Sequence, residues 1–337
     1  MLYKNVEIHN IAEVIENTEN NSVKWLRVPQ KVYDSMETEQ GKRMCTCSTG
    51  VELRFVMQSD TVTIRMRTVS EEGIFHVFRG SIQGGWEDHE VNKNVYSEFC
   101  DYVIKKSENS DMLNRIAKDF SQPFAPEVIR VIFDRGCYEL LDITGDVSAP
   151  EKSQLPEKTL LAYGSSITHG SNSIDMSHSW VSVLAHNLKM DCRNLGMAGS
   201  CLMEPEIVEY IANEGEKNRW DVAVLELGIN ALGWEKEKIV ERVENTLRQI
   251  AGRNQNKPIY VISPFYSDDD YNKNGNAEKW RRLIEDVINH LNYNNVTYIN
   301  GLDLLGDMSL ISADQVHPNI YGVAQIAERI TKIVKGD

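Results

Sequence analysis

Leu160-Leu161-Ala162-Tyr163-Gly164-Ser165-Ser166-Ile167-Thr168-His169-Gly170 is a short apolar run that ends at a glycine and delivers a serine onto a tight turn. Much further along, Asp314-Gln315-Val316-His317-Pro318 places an aspartate and a histidine three residues apart, ahead of the last helical pattern. Together these stretches hold a nucleophile, a base and an orienting carboxylate, the set that acyl transfer requires.

The grammar between them sets the fold class. Short buried strands are expected at Thr159–Tyr163, Met190–Asn194, Asp221–Leu227, Pro258–Ser263 and Val296–Asn300. Longer segments with helical period alternate with them. Glu235–Ala251 puts Ile239, Val240, Val243, Leu247 and Ile250 on one face; Ala277–Leu291 does so with Trp280, Leu283, Ile284, Val287, Ile288 and Leu291. A final helix from Asn319 to Val334 carries Ile320, Val323, Ile326, Ala327, Ile330 and Ile333. Strand–helix alternation of this kind builds a parallel sheet covered by helices on both faces, an α/β three-layer domain. Ligands of such sheets bind at the carboxyl ends of the strands, where both opening stretches fall.

Residues 1–150 read differently. Val51–Met57 and Thr61–Arg67 alternate apolar with polar around a Gln-Ser-Asp turn, and Ile74–Phe78 and Val128–Phe133 continue the pattern. Period-two runs broken by turns predict an antiparallel β-sandwich, jelly-roll-like, as an accessory domain. Ser107–Pro126 is more polar and helix-like in part, and stays unassigned. The polar connector Ala149-Pro150-Glu151-Lys152-Ser153-Gln154-Leu155-Pro156 marks the boundary, with 151–157 as linker and 158–337 as the second domain.

Composition narrows the partners. The chain has 337 residues, 41% hydrophobic and 26% charged, as expected of a globular protein with two domains. Its formal charge, 36 − 50 = −14, disfavours nucleic acid and anionic membrane surfaces as partners. Met1 to Asn20 lacks an apolar core of signal-peptide length, and no run reaches the roughly 18 apolar residues of a membrane span, so a cytoplasmic location is expected. The six cysteines (Cys45, Cys47, Cys100, Cys137, Cys192, Cys201) contain no CxxC pair and read as reduced thiols; Cys45-Thr46-Cys47 is too close for an unstrained bridge within one strand.

Several chemistries are excluded. The turn after Tyr163 has neither GxGxxG nor GxxxxGK[ST], so dinucleotide and P-loop binding are unsupported. Thr168 stands where a GxSxG elbow needs its second glycine, which argues against an α/β-hydrolase. What remains resembles the SGNH (GDSL-type) hydrolase superfamily over about residues 158–335. Its blocks are matched by Gly164-Ser165-Ser166-Ile167-Thr168, by Asn194-Leu195-Gly196-Met197-Ala198-Gly199-Ser200, by Gly228-Ile229-Asn230 and by Asp314-Gln315-Val316-His317. The resemblance makes Ser166 the nucleophile, with Ser165 standing where the family usually has aspartate. Ala231 likewise replaces an aspartate after Asn230, which bears on how that loop is held.

On this resemblance His317 is the base, and Asp314 fixes its tautomer from the other ring nitrogen. Pro318 disfavours helix at His317 and keeps the imidazole on a loop. The backbone N–H groups of Ser166 and Gly199, with the Asn230 side-chain amide, are the oxyanion donors. Asn194 reads either as a strand-end turn residue or as support behind the site. Trp86, Trp234, Phe265 and Tyr266 are candidates to line a sugar or acyl pocket, whereas Trp180, at helical spacing with Val183 and Leu184, reads as core. His169, Asp175 and His178 match no metal-site spacing and read as loop or helix-start residues; Asp268-Asp269-Asp270 reads as a solvated loop.

The layout is similar to two-domain carbohydrate esterases that remove acetyl groups from xylan-type sugars. It implies a serine esterase for short acyl, chiefly acetyl, esters of a carbohydrate or other small molecule, with no cofactor and no metal. An acyltransferase using the same triad and a non-catalytic carbohydrate-binding protein on this scaffold remain alternatives. Acyl length, alcohol identity, subunit count (a homo-oligomer included) and the accessory domain's role stay open.

Overall fold

The computed structural model describes residues 1–70, 73–85 and 93–336. It divides into two compact units, one of Met1–Pro29, Thr46–Glu157 and Lys189–Asp191, the other of Gln30–Cys45, Lys158–Leu188 and Cys192–Asp337.

The first unit holds two antiparallel sheets. One runs in the order Leu2–Tyr3, Val6–His9, Glu52–Met57, Val128–Phe133, Ile74–Arg79 and Ile82–Gln83, with Val147–Ser148 paired to Glu52–Met57 and Lys93–Asn94 paired to Ile74–Arg79. The other runs Cys100–Lys105, Thr61–Thr68, Tyr138–Thr144, Ser22–Leu26 and Glu13–Asn17. The alternation read from the sequence has a simple consequence in Thr61–Thr68: Val62, Ile64 and Met66 are buried while Thr61 and Arg65 face water. A single apolar cluster draws on both sheets, with Ile8, Leu53 and Val131 from one and Trp25, Ile64 and Leu140 from the other.

Alternation does not mean a solvated face everywhere. On Glu52–Met57 the polar residues Glu52 and Arg54 are buried as well. Arg130 donates Nε and Nη2 to the two Glu52 carboxylate oxygens at 2.8 and 2.6 Å, and Arg54 Nε adds a bond of 2.8 Å. Burial opposes the charge on Glu52, but the two guanidinium groups outweigh it and lower the carboxyl to about 2. The unassigned stretch contains a helix, Ser110–Asp119. Cys45-Thr46-Cys47 is not strand: it lies at the end of the helix Glu39–Thr46, and all six cysteines are free thiols.

The second unit is built on a five-stranded sheet in the order Asp191–Gly196, Thr159–Gly164, Val222–Glu226, Ile259–Ile262, Val296–Ile299, and the last four pair in parallel. In chain order this is 2-1-3-4-5, so the direction of winding reverses beside the first strand, which opens a crevice at its carboxyl end. The three inner strands, Thr159–Gly164, Val222–Glu226 and Ile259–Ile262, are near-continuous apolar runs, as a covered parallel sheet demands, whereas the edge strand Asp191–Gly196 is more polar. Trp180–Asn187 packs on Ile320–Lys335, and Pro205–Glu216, Lys236–Arg253 and Asn276–Leu291 form a second packed group. Pro205 begins its helix at the position where a missing N–H costs nothing, and Asn319 caps the last helix by accepting from Tyr321 and Gly322. Asp268–Asp270 is not a solvated loop: it begins the short helix Asp268–Tyr271, where buried Asp269 accepts from the Ala277 backbone and Asp270 takes a bidentate bond from Arg281. No helix among the described residues is long and apolar enough to cross a membrane.

Gln30–Cys45 belongs to the second unit although it precedes most of the first unit's strands. Its helices, Gln30–Ser35 and Glu39–Thr46, place Val32, Met44 and Cys45 in the interior, and Glu37 between them pairs with Arg242.

The strand Thr159–Gly164 ends where nothing larger than glycine fits. A Cβ on Gly164 would lie 2.2 Å from Thr168 Oγ1 and 2.6 Å from Glu226 Oε2. Gly164→Ala is therefore expected to destabilise the chain by about 1–3 kcal/mol through overpacking, read as a lower thermal midpoint. An unchanged midpoint would mean that the turn relaxes freely.

Candidate active site

Ser166 follows that strand directly, as the first residue of a single helical turn, Ser166–His169. Ser165 caps the turn, its hydroxyl accepting from Ile167 N at 3.2 Å. Trp180, buried as expected for a core residue, donates Nε1 to Ile167 O at 3.1 Å, and Asn194 Nδ2 donates to Thr168 O at 2.8 Å. Asn194 also accepts from Gly196 N through its Oδ1 at 2.8 Å, so it braces the serine turn from the neighbouring strand. Both of its readings hold: the bond from Gly196 N closes a strand-end turn, and the bond to Thr168 O supports the serine turn.

Asp314 and His317 meet that serine from the loop before the last helix. Asp314 Oδ1 accepts from the backbone of Val316 and His317, an Asx-type turn that draws the aspartate and the ring to one side. His317 Nδ1 lies 2.9 Å from Asp314 Oδ2, and Nε2 lies 2.7 Å from Ser166 Oγ. With Nδ1 protonated toward the carboxylate, Nε2 is left as an acceptor for the serine proton. Burial opposes the charge on Asp314, but the N–H groups of His317 and Val316, the His317 ring and the Asn172 amide outweigh it and bring the carboxyl down to about 2. Asp314 is therefore ionised throughout the neutral range.

Sequence reasoning missed Asn172. Its Nδ2 donates to Asp314 Oδ2 at 2.8 Å, from a backbone at φ +61 that asparagine tolerates better than most residues. An asparagine six residues after Ser166, in a polar turn, was the available signal.

Three donors without a protein acceptor complete the geometry. The backbone N–H groups of Ser166 and Gly199 and the Nδ2 of Asn230 donate to no group among the described residues. Asn230 Oδ1 accepts from Cys201 N at 3.0 Å, which orients its amide and leaves the NH2 free. The loop does not depend on an aspartate after Asn230: Ala231 O accepts from Trp280 Nε1 at 2.7 Å and from Trp234 N at 2.9 Å. Gly199 is exposed and holds φ +69, a conformation glycine adopts without strain.

The proposed binding aromatics separate. Phe265 is 1% exposed and packed into the core, so it presents no surface to a ligand and is withdrawn as a binding residue. Tyr266 is half-buried, as is Trp234, over whose ring Lys238 Nζ lies at 4.1 Å. Trp86 lies outside the described residues. Asp175 and His178 pair with each other at 2.9 Å, with Asp175 capping the short turn that contains His178; His169 is buried at the end of the serine turn.

Two buried carboxyl groups of this unit, Glu226 and Glu204, were unforeseen. Glu226 Oε2 accepts from Ser165 N at 2.6 Å and from Thr168 Oγ1 at 3.0 Å, while Oε1 is buried without a partner among the described residues. Burial is the largest influence on Glu226 and raises its carboxyl to about 7 against those hydrogen bonds. Glu204, at the start of Pro205–Glu216, is likewise raised by burial to about 7.

Comparison with known families and structures gives the family and the fold. Residues 157–335, more than half of the chain, match the GDSL-like lipase/acylhydrolase family, and the chain belongs to that family. It is a hydrolase of the SGNH type. Among solved structures it is similar to the salicylyl-acyltransferase SsfX3 from a tetracycline biosynthetic pathway, at 15% identity and TM-score 0.78 over 99% of this chain and 95% of that one. It is also similar to a family two carbohydrate esterase from Cellvibrio japonicus, at 12% identity and TM-score 0.66 over 98% and 95%. An acetyl xylan esterase from Butyrivibrio proteoclasticus aligns at 11% identity and TM-score 0.57 over 98% of each chain. At these identities the likeness is one of fold. Comparison with curated protein sequences gives no match.

Two expectations test the supporting residues. Asn172→Ala removes one of the bonds that hold Asp314 and is expected to lower kcat by about ten-fold or less in ester hydrolysis, with little change in fold. For Glu226, the native carboxyl at about 7 keeps a proton that an unfolded one, at 4.5, gives up. Stability contributed by this group is therefore present below that window and falls as pH rises through it. Glu226→Gln is expected to flatten that fall in thermal midpoints measured from acid to mildly alkaline pH. An unchanged slope would mean that native Glu226 is already ionised.

Proposed function

We propose that this chain is a serine esterase that removes short acyl groups, acetyl above all, from a carbohydrate or another small polar alcohol. The observation that carries this reading is the chain of contacts Ser166 Oγ–His317 Nε2–Asp314 at 2.7 and 2.9 Å, in a unit where the Ser166, Gly199 and Asn230 donors engage no acceptor among the described residues. Ser166 Oγ attacks the ester carbonyl carbon as its proton passes to His317 Nε2. The negative oxygen is held by the N–H groups of Ser166 and Gly199 and by the Asn230 amide. Collapse of the intermediate breaks the bond to the alkoxy oxygen, and His317 returns its proton to the departing alcohol. Water then attacks the acyl-serine, losing a proton to His317, and the acid leaves as Ser166 recovers its hydrogen.

The preference for a small polar ester rests on the company of the site. Asn172, Asn230 and Gln40 surround its groups, and Asp314 is 43% exposed. The solved structures of similar fold include carbohydrate esterases and an acetyl xylan esterase, which supports the same class. In this reading the two antiparallel sheets form a β-sandwich accessory domain. A second reading, transfer of the acyl group to an alcohol other than water, is favoured by the fold likeness to the salicylyl-acyltransferase over nearly the whole of both chains. Both use one triad and differ only in what attacks the acyl-serine.

p-Nitrophenyl esters from acetate to octanoate separate these outcomes. Wild type is expected to hydrolyse acetate fastest, Ser165→Ala to retain activity, and Ser166→Ala to lose both activity and fluorophosphonate labelling, by a factor of 10³ or more. Wild type that neither hydrolyses nor labels would overturn the serine-esterase reading. An added alcohol that captures the acyl group in preference to water would establish the transferase.

A further inference from the structure

The segment Gln30–Cys45 brings one side chain to the oxyanion loop. Gln40, the second residue of the helix Glu39–Thr46, donates Nε2 to Ala198 O at 3.0 Å, both residues belonging to the second unit. A carbonyl oxygen only accepts, so it is the amide nitrogen that faces Ala198. Ala198 O and Gly199 N belong to one peptide group. Because that group is planar and trans, its C=O and N–H point in opposite directions, and fixing one fixes the other.

We infer that Gln40 is a positioning residue for catalysis, holding the Ala198–Gly199 peptide so that the Gly199 N–H is aimed at the developing oxyanion. The inference rests on the serine-esterase reading and adds to it a residue outside the family blocks. The need for such a device follows from the loop itself. Gly199 is exposed, at φ +69, and a Cβ there would meet only Gln40, at 3.7 Å from its Cγ and 4.0 Å from its Nε2. With so little packed against it, a glycine peptide can rotate away from its aim. Ser200 Oγ reaches the same carbonyl, but at 3.4 Å. Gln40 makes the shorter bond.

The helix that carries Gln40 is itself anchored. Thr38 Oγ1 accepts from Gly41 N at 2.9 Å at its start, and Met44 and Cys45 are buried on its inner face. Glu37, one residue before Thr38, is ion-paired with Arg242, whose other guanidinium nitrogen donates to Met203 O at 3.2 Å. Met203 lies a few residues beyond Gly199, so one arginine ties the segment to the far end of the loop that Gln40 touches.

Gln40→Met keeps the length of the side chain and removes the donor. Because Gln40 is exposed, its folding should be untouched. The expected result with p-nitrophenyl acetate is a kcat about ten-fold lower, a KM within two-fold of wild type and an unchanged thermal midpoint; outright loss of an oxyanion donor costs about 10²–10³ in kcat. Fluorophosphonate labelling of Ser166 should slow by a similar factor. Gln40→Glu, which sets a carboxylate against the carbonyl, should fall at least as far. Wild-type kcat in Gln40→Met, or a loss that appears in KM alone, would overturn the inference and leave the esterase reading intact. A wild type without hydrolysis or labelling would overturn both.

Discussion

The crowding at the end of the strand Thr159–Gly164 is the constraint on which the site depends. The chain must leave a buried strand and enter a helical turn within one residue, beside a carboxylate that already occupies the space. Glu226 Oε2 takes the Ser165 N–H at 2.6 Å and the Thr168 hydroxyl at 3.0 Å, so one oxygen secures both ends of the turn that carries Ser166. Trp180 and Asn194 hold its outward carbonyls. With the turn held on several sides, the serine hydroxyl has a fixed origin from which His317 can be reached.

The carboxylates on either side of that turn are treated in opposite ways. Asp314 is close to solvent and surrounded by N–H donors, which favour its charge and hold it near 2. Glu226 is sealed in, with one oxygen unpartnered among the described residues, and its carboxyl rises to about 7. In the proposed mechanism a full negative charge at the turn that carries Ser166 would oppose a developing oxyanion, whereas a charge beside the imidazole would stabilise the imidazolium. Burial and hydrogen bonding thus assign a charge to the carboxylate that helps and resist one on the carboxylate that would hinder.

The second unit was legible because its physics is local. Each parallel strand is a compact apolar run between turn signals, and Val222–Glu226 and Ile259–Ile262 fall within the stretches read from the sequence. Helical period placed Lys236–Arg253 and Asn276–Leu291 to within two residues. Ser166, Asp314 and His317 stood out through spacing and family blocks, and the structure brings them together. The first unit was harder to read. Short strands such as Leu2–Tyr3 and Val6–His9 carry too few residues for a period, and the polar face of Glu52–Met57 is buried through ion pairs that only the fold supplies. Gln30–Ser35 and Glu39–Thr46 are short and largely polar, and nothing local says which unit they join. Phe265 shows the reverse error: an aromatic after a catalytic-face strand reads as a ligand surface, yet its burial is set by neighbours distant in sequence. Glu226 left one sign, a lone acid closing the apolar run Val222-Ala223-Val224-Leu225, and a buried charge of that kind calls for a reason.

The departures from the family blocks are where the structure is most instructive. The Ser165 hydroxyl caps the turn through Ile167 N, and the Ser165 N–H is answered from another strand by Glu226. Ala231 brings no side-chain acceptor, and its loop is held through its own carbonyl by Trp280 and Trp234. Both positions lost an aspartate relative to the usual block, and both turns are still fixed by hydrogen bonds. What the chemistry requires at these places is a turn that does not move, and a backbone group can be satisfied by any partner that reaches it. In the proposed mechanism the triad has no such freedom: a proton must pass between Ser166 Oγ and His317 Nε2, which lie 2.7 Å apart. That difference explains why the serine, the histidine and the aspartate stand in their blocks while the residues that hold the turns have been exchanged.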